Sequence, residues 1–138
     1  MNAKKNPTLW LIDDSEADRI LFRLPMEAAR PSLKIVDFPS AESAIAAIKQ
    51  GESPDVALLD LNMPGVGGFA FLEQLEALGA SSFPIVILTS TSQKEEVNRA
   101  YALGAHGFAT KPNDREGIAE FAQSFCGYWF ELMEFPEV

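Results

Sequence analysis

The chain has 138 residues and a single cysteine, Cys126, which suits one compact domain and excludes both an internal disulfide framework and a multi-cysteine metal site. With 47% apolar residues it is too hydrophobic for a disordered chain, yet its longest apolar runs are strand-length and too short to cross a membrane. Acids outnumber bases 20 to 11 and the bases are scattered, so no basic stripe exists to follow a phosphate backbone, and neither nucleic acid nor membrane is expected as a partner.

In chain order, the polar start from Met1 to Pro7 carries Lys4 and Lys5 with no following apolar run of a signal peptide, so a reducing, cytoplasmic location is expected. Thr8–Ile12 reads as a strand. Ser15 is placed to cap the helix that follows, with Ala17, Ile20, Leu21 and Leu24 at helical spacing until Pro25 breaks or kinks it. Leu33–Phe38 is a second strand. Ser40 opens a second helix with Ala41, Ala44, Ile45 and Ile48 inward and Gly51 as terminator. Val56–Leu59 and Ile85–Leu88 are apolar throughout, as strands buried on both faces are, and the helix between them runs from about Phe69 to Leu78, closed by Gly79. Ser92 with Glu95 reads as a capping box for a fourth helix ending at Gly104. Gly107–Ala109 is a fifth strand, and Asn113 with Glu116 starts the last helix. Five successive strand–helix units predict an α/β fold, a doubly wound five-stranded parallel sheet with helices on both faces.

Ligands in such sheets bind at the carboxyl ends of the strands, at the topological switch point. The first strand ends in Asp13-Asp14, the third in Asp60, the fourth in Thr89-Ser90 and the fifth in Thr110-Lys111. In the flavodoxin-like order 2-1-3-4-5 the first and third strands flank the switch point, so three carboxylates converge there. Carboxylates about 4 Å apart repel by roughly 4 kcal/mol per pair at an effective dielectric of about 20, so the cluster needs a cation or protons. Oxygen ligands without His or Cys favour Mg²⁺, with Ca²⁺ or Mn²⁺ as alternatives. Carboxylates, Mg²⁺, the Lys111 ammonium and the Thr89 hydroxyl together suit phosphoryl transfer, which depends on charge neutralisation and positioning. His106, the single histidine, precedes a strand in a loop and is not read as catalytic; Cys126 is read as a small apolar helix residue, and Trp10 as a sheet-face or edge residue.

Four blocks, LWLIDDSEADR, PDVALLDLNMPGVGGFAFL, PIVILTS and GAHGFATKP, lie in an order and spacing that resembles the receiver domains of two-component response regulators over about residues 8 to 124. The resemblance implies that Asp60 is the phosphoacceptor, that Asp14 binds Mg²⁺ directly and Asp13 chiefly through water, and that Asn62 gives its backbone carbonyl to the metal. It further implies that Thr89 and Lys111 engage the phosphoryl group, that Phe108 is the switch aromatic, and that the Lys111-Pro112 bond is cis. The chain departs from the family at Gly67, where Asp is frequent. Such a protein is no enzyme with a substrate of its own: it assists its own phosphorylation and dephosphorylation. The alternatives are a Mg²⁺-dependent phosphatase with an aspartate nucleophile, against which Asn62 stands where a second acid is needed, and a constitutive pseudo-receiver.

The segments LTSTSQKEEV, AYALGA and YWFELMEFPEV resemble small single-domain regulators that serve phytochrome-type histidine kinases. The whole chain, 1–138, is therefore expected to be one receiver domain, with an aromatic tail, 125–138, extending the fifth helix. Ile118, Phe121, Ala122 and Phe125 suffice to dock that helix on the sheet. Tyr128, Trp129, Phe130, Leu132, Met133 and Phe135 point to more than one side, which leads to the expectation of a symmetric homodimer with Tyr128, Trp129, Phe130 and Phe135 at the interface and Trp129 and Phe130 central.

Overall fold

Strand and helix alternate from Thr8 to Cys126. A computed structural model describes residues 6–63, 65, 67–79, 82–90 and 93–135. The elements are β1 (Thr8–Ile12), α1 (Glu16–Ala29), β2 (Lys34–Phe38), α2 (Ala41–Lys49), β3 (Val56–Leu59), α3 (Gly68–Leu78), β4 (Ile85–Thr89), α4 (Lys94–Ala102), β5 (Gly107–Thr110) and α5 (Arg115–Cys126), continued by a π-helical segment, Gly127–Leu132. The strands form one parallel sheet in the order β2-β1-β3-β4-β5, as the sequence predicts.

The sheet separates two apolar layers, because side chains alternate across a strand. Trp10, Ile12, Ala57, Leu59, Ile85 and Ile87 face α2, α3 and α4 on one side. Leu9, Leu11, Val56, Leu58, Val86 and Leu88 face α1 and α5 on the other. Trp10 is a core residue, its ring 4.6 Å from that of Phe38.

Helix starts follow local chemistry. Ser15 Oγ accepts the Asp18 N–H and Ser40 Oγ accepts the Ser43 N–H, as predicted. The last two caps fall one residue later than predicted. Gln93 is the N-cap of α4, its N–H 3.5 Å from Glu96 Oε1, and Asp114 caps α5 by accepting the Gly117 N–H at 2.7 Å. Ser92 lies outside the described residues.

Helix α1 differs more. It runs through Pro25 without a break, and its buried face carries Phe22 and Met26, one on each side of the proline. Ile20, Leu21 and Leu24, expected inward, are 50%, 51% and 63% exposed. The rotation has an electrostatic partner: Asp37 on β2 accepts from Arg23 Nη1 at 2.6 Å and lies 3.6 Å from Arg19 Nε, which holds the arginine side of α1 toward the sheet edge.

The chain end also differs. Phe130, expected in a dimer interface, is fully buried in the core of its own domain. The π-helical wrap brings residues five apart onto one side, and the Phe130 ring accordingly lies 6.0 Å from that of Phe125 in a T-shaped contact. Arg30 ties this segment to α1 by donating to the Phe130 carbonyl at 2.5 Å. Trp129 and Phe135 pack partly buried against the same layer, while Tyr128 and Leu132 are exposed.

Candidate functional site

Four strand ends meet at one edge of the sheet. The ladder continues past β1, β3 and β5 into the residues that matter. Asp13 N–H donates to the Phe38 carbonyl at 3.1 Å, Asp60 N–H to Ile12 at 3.0 Å and Lys111 N–H to Thr89 at 2.7 Å. Each side chain therefore springs from backbone already fixed by the sheet. Helix α3 closes in from the side: a Cβ on Gly68 would stand 2.7 Å from Leu61 Cα and 2.9 Å from the Asp60 carbonyl, so only glycine permits this approach.

Asp60 is buried, and among the described residues the hydrogen bonds to its side chain come from this cluster. Thr89 Oγ1 donates to Asp60 Oδ1 at 3.0 Å, the Asn62 N–H donates to the same oxygen at 3.1 Å, and Lys111 Nζ donates to Oδ2 at 3.2 Å. Asn62 also acts through its side chain, Nδ2 donating to Thr89 Oγ1 at 2.9 Å, a role the sequence did not suggest.

Asp13 is buried too. Its Oδ1 accepts the Ser15 N–H at 2.9 Å and its Oδ2 accepts from Lys111 Nζ at 2.7 Å, while Arg19 Nη1 donates to its carbonyl at 2.6 Å. Burial pushes the Asp13 carboxyl above its ordinary value, and the hydrogen bonds from Lys111 and Ser15 only partly offset this. Burial alone would lower the Lys111 ammonium's pKa, but hydrogen bonds to Asp13 and Asp18, with the nearby Asp60 charge, outweigh it and hold the lysine above its ordinary value.

Asp13, Asp14 and Asp60 each offer a carboxylate oxygen, and these atoms lie within 4.8 Å of one another. Asp14 is the exposed member of the three. Hard oxygen donors in excess of the single ammonium among them make a group able to hold a divalent cation. The structure thus brings together Asp13, Asp14, Asp60, Asn62, Thr89 and Lys111. The lysine reaches the cluster with a trans Lys111-Pro112 bond, not the expected cis bond. Phe108 is half-buried on β5, paired in register with Ile87 and packed against the α2, α3 and α4 layer. His106 sits at the other end of the strands, where its Nδ1 accepts the Ile85 N–H at 3.2 Å. Cys126 is buried in the core beside Met26, and burial pushes its thiol up to about 11. Gly67, the departure from the family pattern, is the N-cap of α3 and supplies no side chain there.

A doubly wound sheet with acids directly after β1 and β3, a hydroxyl at the end of β4 and a lysine after β5 defines a receiver. Residues 9–123 match the response regulator receiver domain, and the chain belongs to that family. Response regulator Rcp1 of Synechocystis sp. is 25% identical over 145 residues, covering 99% of this chain and 99% of that protein. The protein-glutamate methylesterase/protein-glutamine glutaminase of Ralstonia nicotianae is 35% identical over 131 residues, covering 91% of this chain. The chain spans only 33% of that relative's length. Among solved structures, the phosphorylated cyanobacterial phytochrome response regulator RcpA superposes with a TM-score of 0.88 at 20% identity, over 96% of this chain and 99% of that one. A response regulator receiver domain from Rhodospirillum rubrum superposes with a TM-score of 0.81 at 28% identity, over 95% and 98% of the two chains. Among the described residues no helix is long and apolar enough to cross a membrane.

Proposed function

We propose that this chain is a phosphorylation-switched single-domain response regulator that takes a phosphoryl group from a sensor histidine kinase onto Asp60. The observation that carries this reading is the convergence of Lys111 Nζ, Thr89 Oγ1 and the Asn62 N–H on one buried carboxylate. In the transfer, an Asp60 oxygen forms a bond to phosphorus as the phosphorus–nitrogen bond of a phosphohistidine breaks, and the imidazole nitrogen keeps the electron pair. Lys111 and Thr89 meet the charge on the phosphoryl oxygens, and little else is required of the protein beyond positioning. Asp13, Asp14 and Asp60, with the Asn62 carbonyl, would hold Mg²⁺. When bound, the ion offsets the charge of the carboxylates and of the incoming group.

After transfer, Thr89 turns to the phosphoryl group and Phe108 follows inward, which alters the face formed by α4, β5 and α5. Likeness over nearly the whole chain to the phytochrome response regulator RcpA supports a phytochrome-type kinase as donor. The exposed Tyr128 and Leu132 support a homodimer through the tail. Acetyl phosphate with Mg²⁺, followed by intact mass, tests the core of the proposal. Wild type should gain one phosphoryl group and Asp60→Asn none; an equal gain by Asp60→Asn would remove Asp60 from the acceptor role.

A further inference from the structure

Asp18 stands in the first turn of α1, with its N–H on the Ser15 hydroxyl. Its carboxylate leaves the helix and meets a residue far along the chain: Lys111 Nζ donates to Asp18 Oδ2 at 2.7 Å. The same ammonium donates to Asp13 Oδ2 at 2.7 Å and to Asp60 Oδ2 at 3.2 Å. An ammonium has three N–H groups, so its donors are fully used. The two shorter contacts go to the β1–α1 junction, and the longest goes to Asp60. Asp13 has other work, since it accepts the Ser15 N–H and belongs to the carboxylate group able to hold a cation. Among the described residues, Lys111 is the one hydrogen-bond donor to the Asp18 carboxylate.

We infer that Asp18 is a positioning residue, holding the Lys111 ammonium in place while Asp60 gives up its own contact and takes a phosphoryl group. The inference rests on Asp60 being the phosphoacceptor. A lysine has a flexible four-carbon stem and three freely rotating donors, so a single carboxylate partner leaves its position loosely defined. Asp13 and Asp18, both fixed in backbone by the end of β1 and the capped start of α1, restrain it from two sides. Aimed in advance, the ammonium meets the transferring group without first reorganising.

The test is a cycle of four proteins, wild type, Asp18→Ala, Lys111→Ala and the double variant, given acetyl phosphate and Mg²⁺, with Asp18→Glu as the conservative variant. Asp18→Ala should be phosphorylated about tenfold more slowly, the size expected for one charge-assisted hydrogen bond. Asp18→Glu should recover most of that loss. In the Lys111→Ala background, Asp18→Ala should cost nothing further, whereas a merely structural role in capping α1 would slow both backgrounds equally. Nitrogen-edited NMR of the lysine ammonium groups reads the anchoring without any phosphoryl donor: the Lys111 signal should be sharp in wild type and broadened in Asp18→Ala. An Asp18→Ala variant as fast as wild type, equal losses in both backgrounds, or an unchanged Lys111 signal overturns the positioning role and leaves Asp60 as acceptor intact. A wild type that takes no phosphate while its Lys111 signal depends on Asp18 overturns instead the acceptor role, and the task of Asp18 in phosphorylation with it.

Discussion

Thr89 is held between two neighbours of opposite demand: it accepts the Asn62 side-chain amide at 2.9 Å and donates its own hydroxyl to Asp60 at 3.0 Å. The hydroxyl is fully buried, so water cannot replace either partner. Removing the Asn62 amide leaves a buried acceptor short of a donor. Asn62→Ala should lose about 1 kcal/mol of stability in urea, the usual worth of one hydrogen bond. Asn62→Asp, which replaces the donor with another acid beside Asp60, should lose more. Equal stability of Asn62→Ala and wild type would show that the Asn62–Thr89 bond contributes nothing.

Lys111 predicts a pH dependence whose sign follows from its raised pKa. A base whose folded pKa lies above its unfolded value of 10.5 contributes stability that is fully present below 10.5 and is lost as pH rises through the folded value. The gap in unfolding free energy between wild type and Lys111→Met should therefore stay flat from about pH 7 to about pH 9 and shrink at higher pH. A gap that widened above 10.5 would contradict the ion-paired geometry.

The carboxylate group predicts a metal effect. Asp14 is the exposed member, so its like-charge repulsion in the metal-free protein is screened, and the stronger consequence of removing it lies in cation binding. Mg²⁺ at about a hundredfold excess over its Kd should stabilise wild type by about 2.7 kcal/mol. Asp14→Ala should show almost none of that gain, and in EDTA it should melt no lower than wild type. Equal Mg²⁺ stabilisation of the two proteins would place the ion elsewhere.

Much of this site was legible because an apolar strand that ends in an acid or a lysine states both its burial and its function in one short run. Asp13, Asp60 and Lys111 follow directly on β1, β3 and β5 in this way. Pairings across the chain were not legible. Asp18 reads as a helix-start acid, and only the fold brings Lys111 to it across 93 residues. The rotation of α1 was hidden because Ile20, Leu21 and Leu24 make an apolar stripe as regular as the buried one, and it is the arginine pairs with Asp37 that accompany the choice. An α-helical period through the tail does not reveal the burial of Phe130, because the π-helical wrap turns that ring edge-on to Phe125.

Burial of Phe130 makes it a stability residue. Phe130→Ala removes a fully buried ring from the layer that holds α1 and α5 together, and should cost about 3–5 kcal/mol. Tyr128→Ala, at a site 48% exposed, should stay within about 0.5 kcal/mol of wild type at a concentration low enough to keep the protein monomeric. Urea unfolding followed by tryptophan fluorescence distinguishes the two; similar losses would mean that the tail does not pack as described.

The tail also gives the test of assembly. A pair that includes Phe130 cannot be used, because its loss would destabilise the fold whether or not a dimer exists. Tyr128 and Leu132 are the suitable probes, since they are 48% and 69% exposed and lie four residues apart in the same segment. Exposed apolar groups beside a partly buried Trp129 form the kind of patch that a second copy covers, with aromatic side chains as anchors. If the proposed homodimer forms there, wild type should sediment as a dimer at micromolar concentration. The Tyr128→Ala/Leu132→Ala variant should sediment as a monomer, with unfolding unchanged from wild type at a concentration low enough to keep both monomeric. Acetyl phosphate should then shift the wild-type monomer–dimer equilibrium, because α5 leads directly into the tail and borders the face that the proposed movement of Phe108 would alter. A wild type that is monomeric with and without phosphoryl donor, or a double variant that sediments like wild type, removes the tail from any interface.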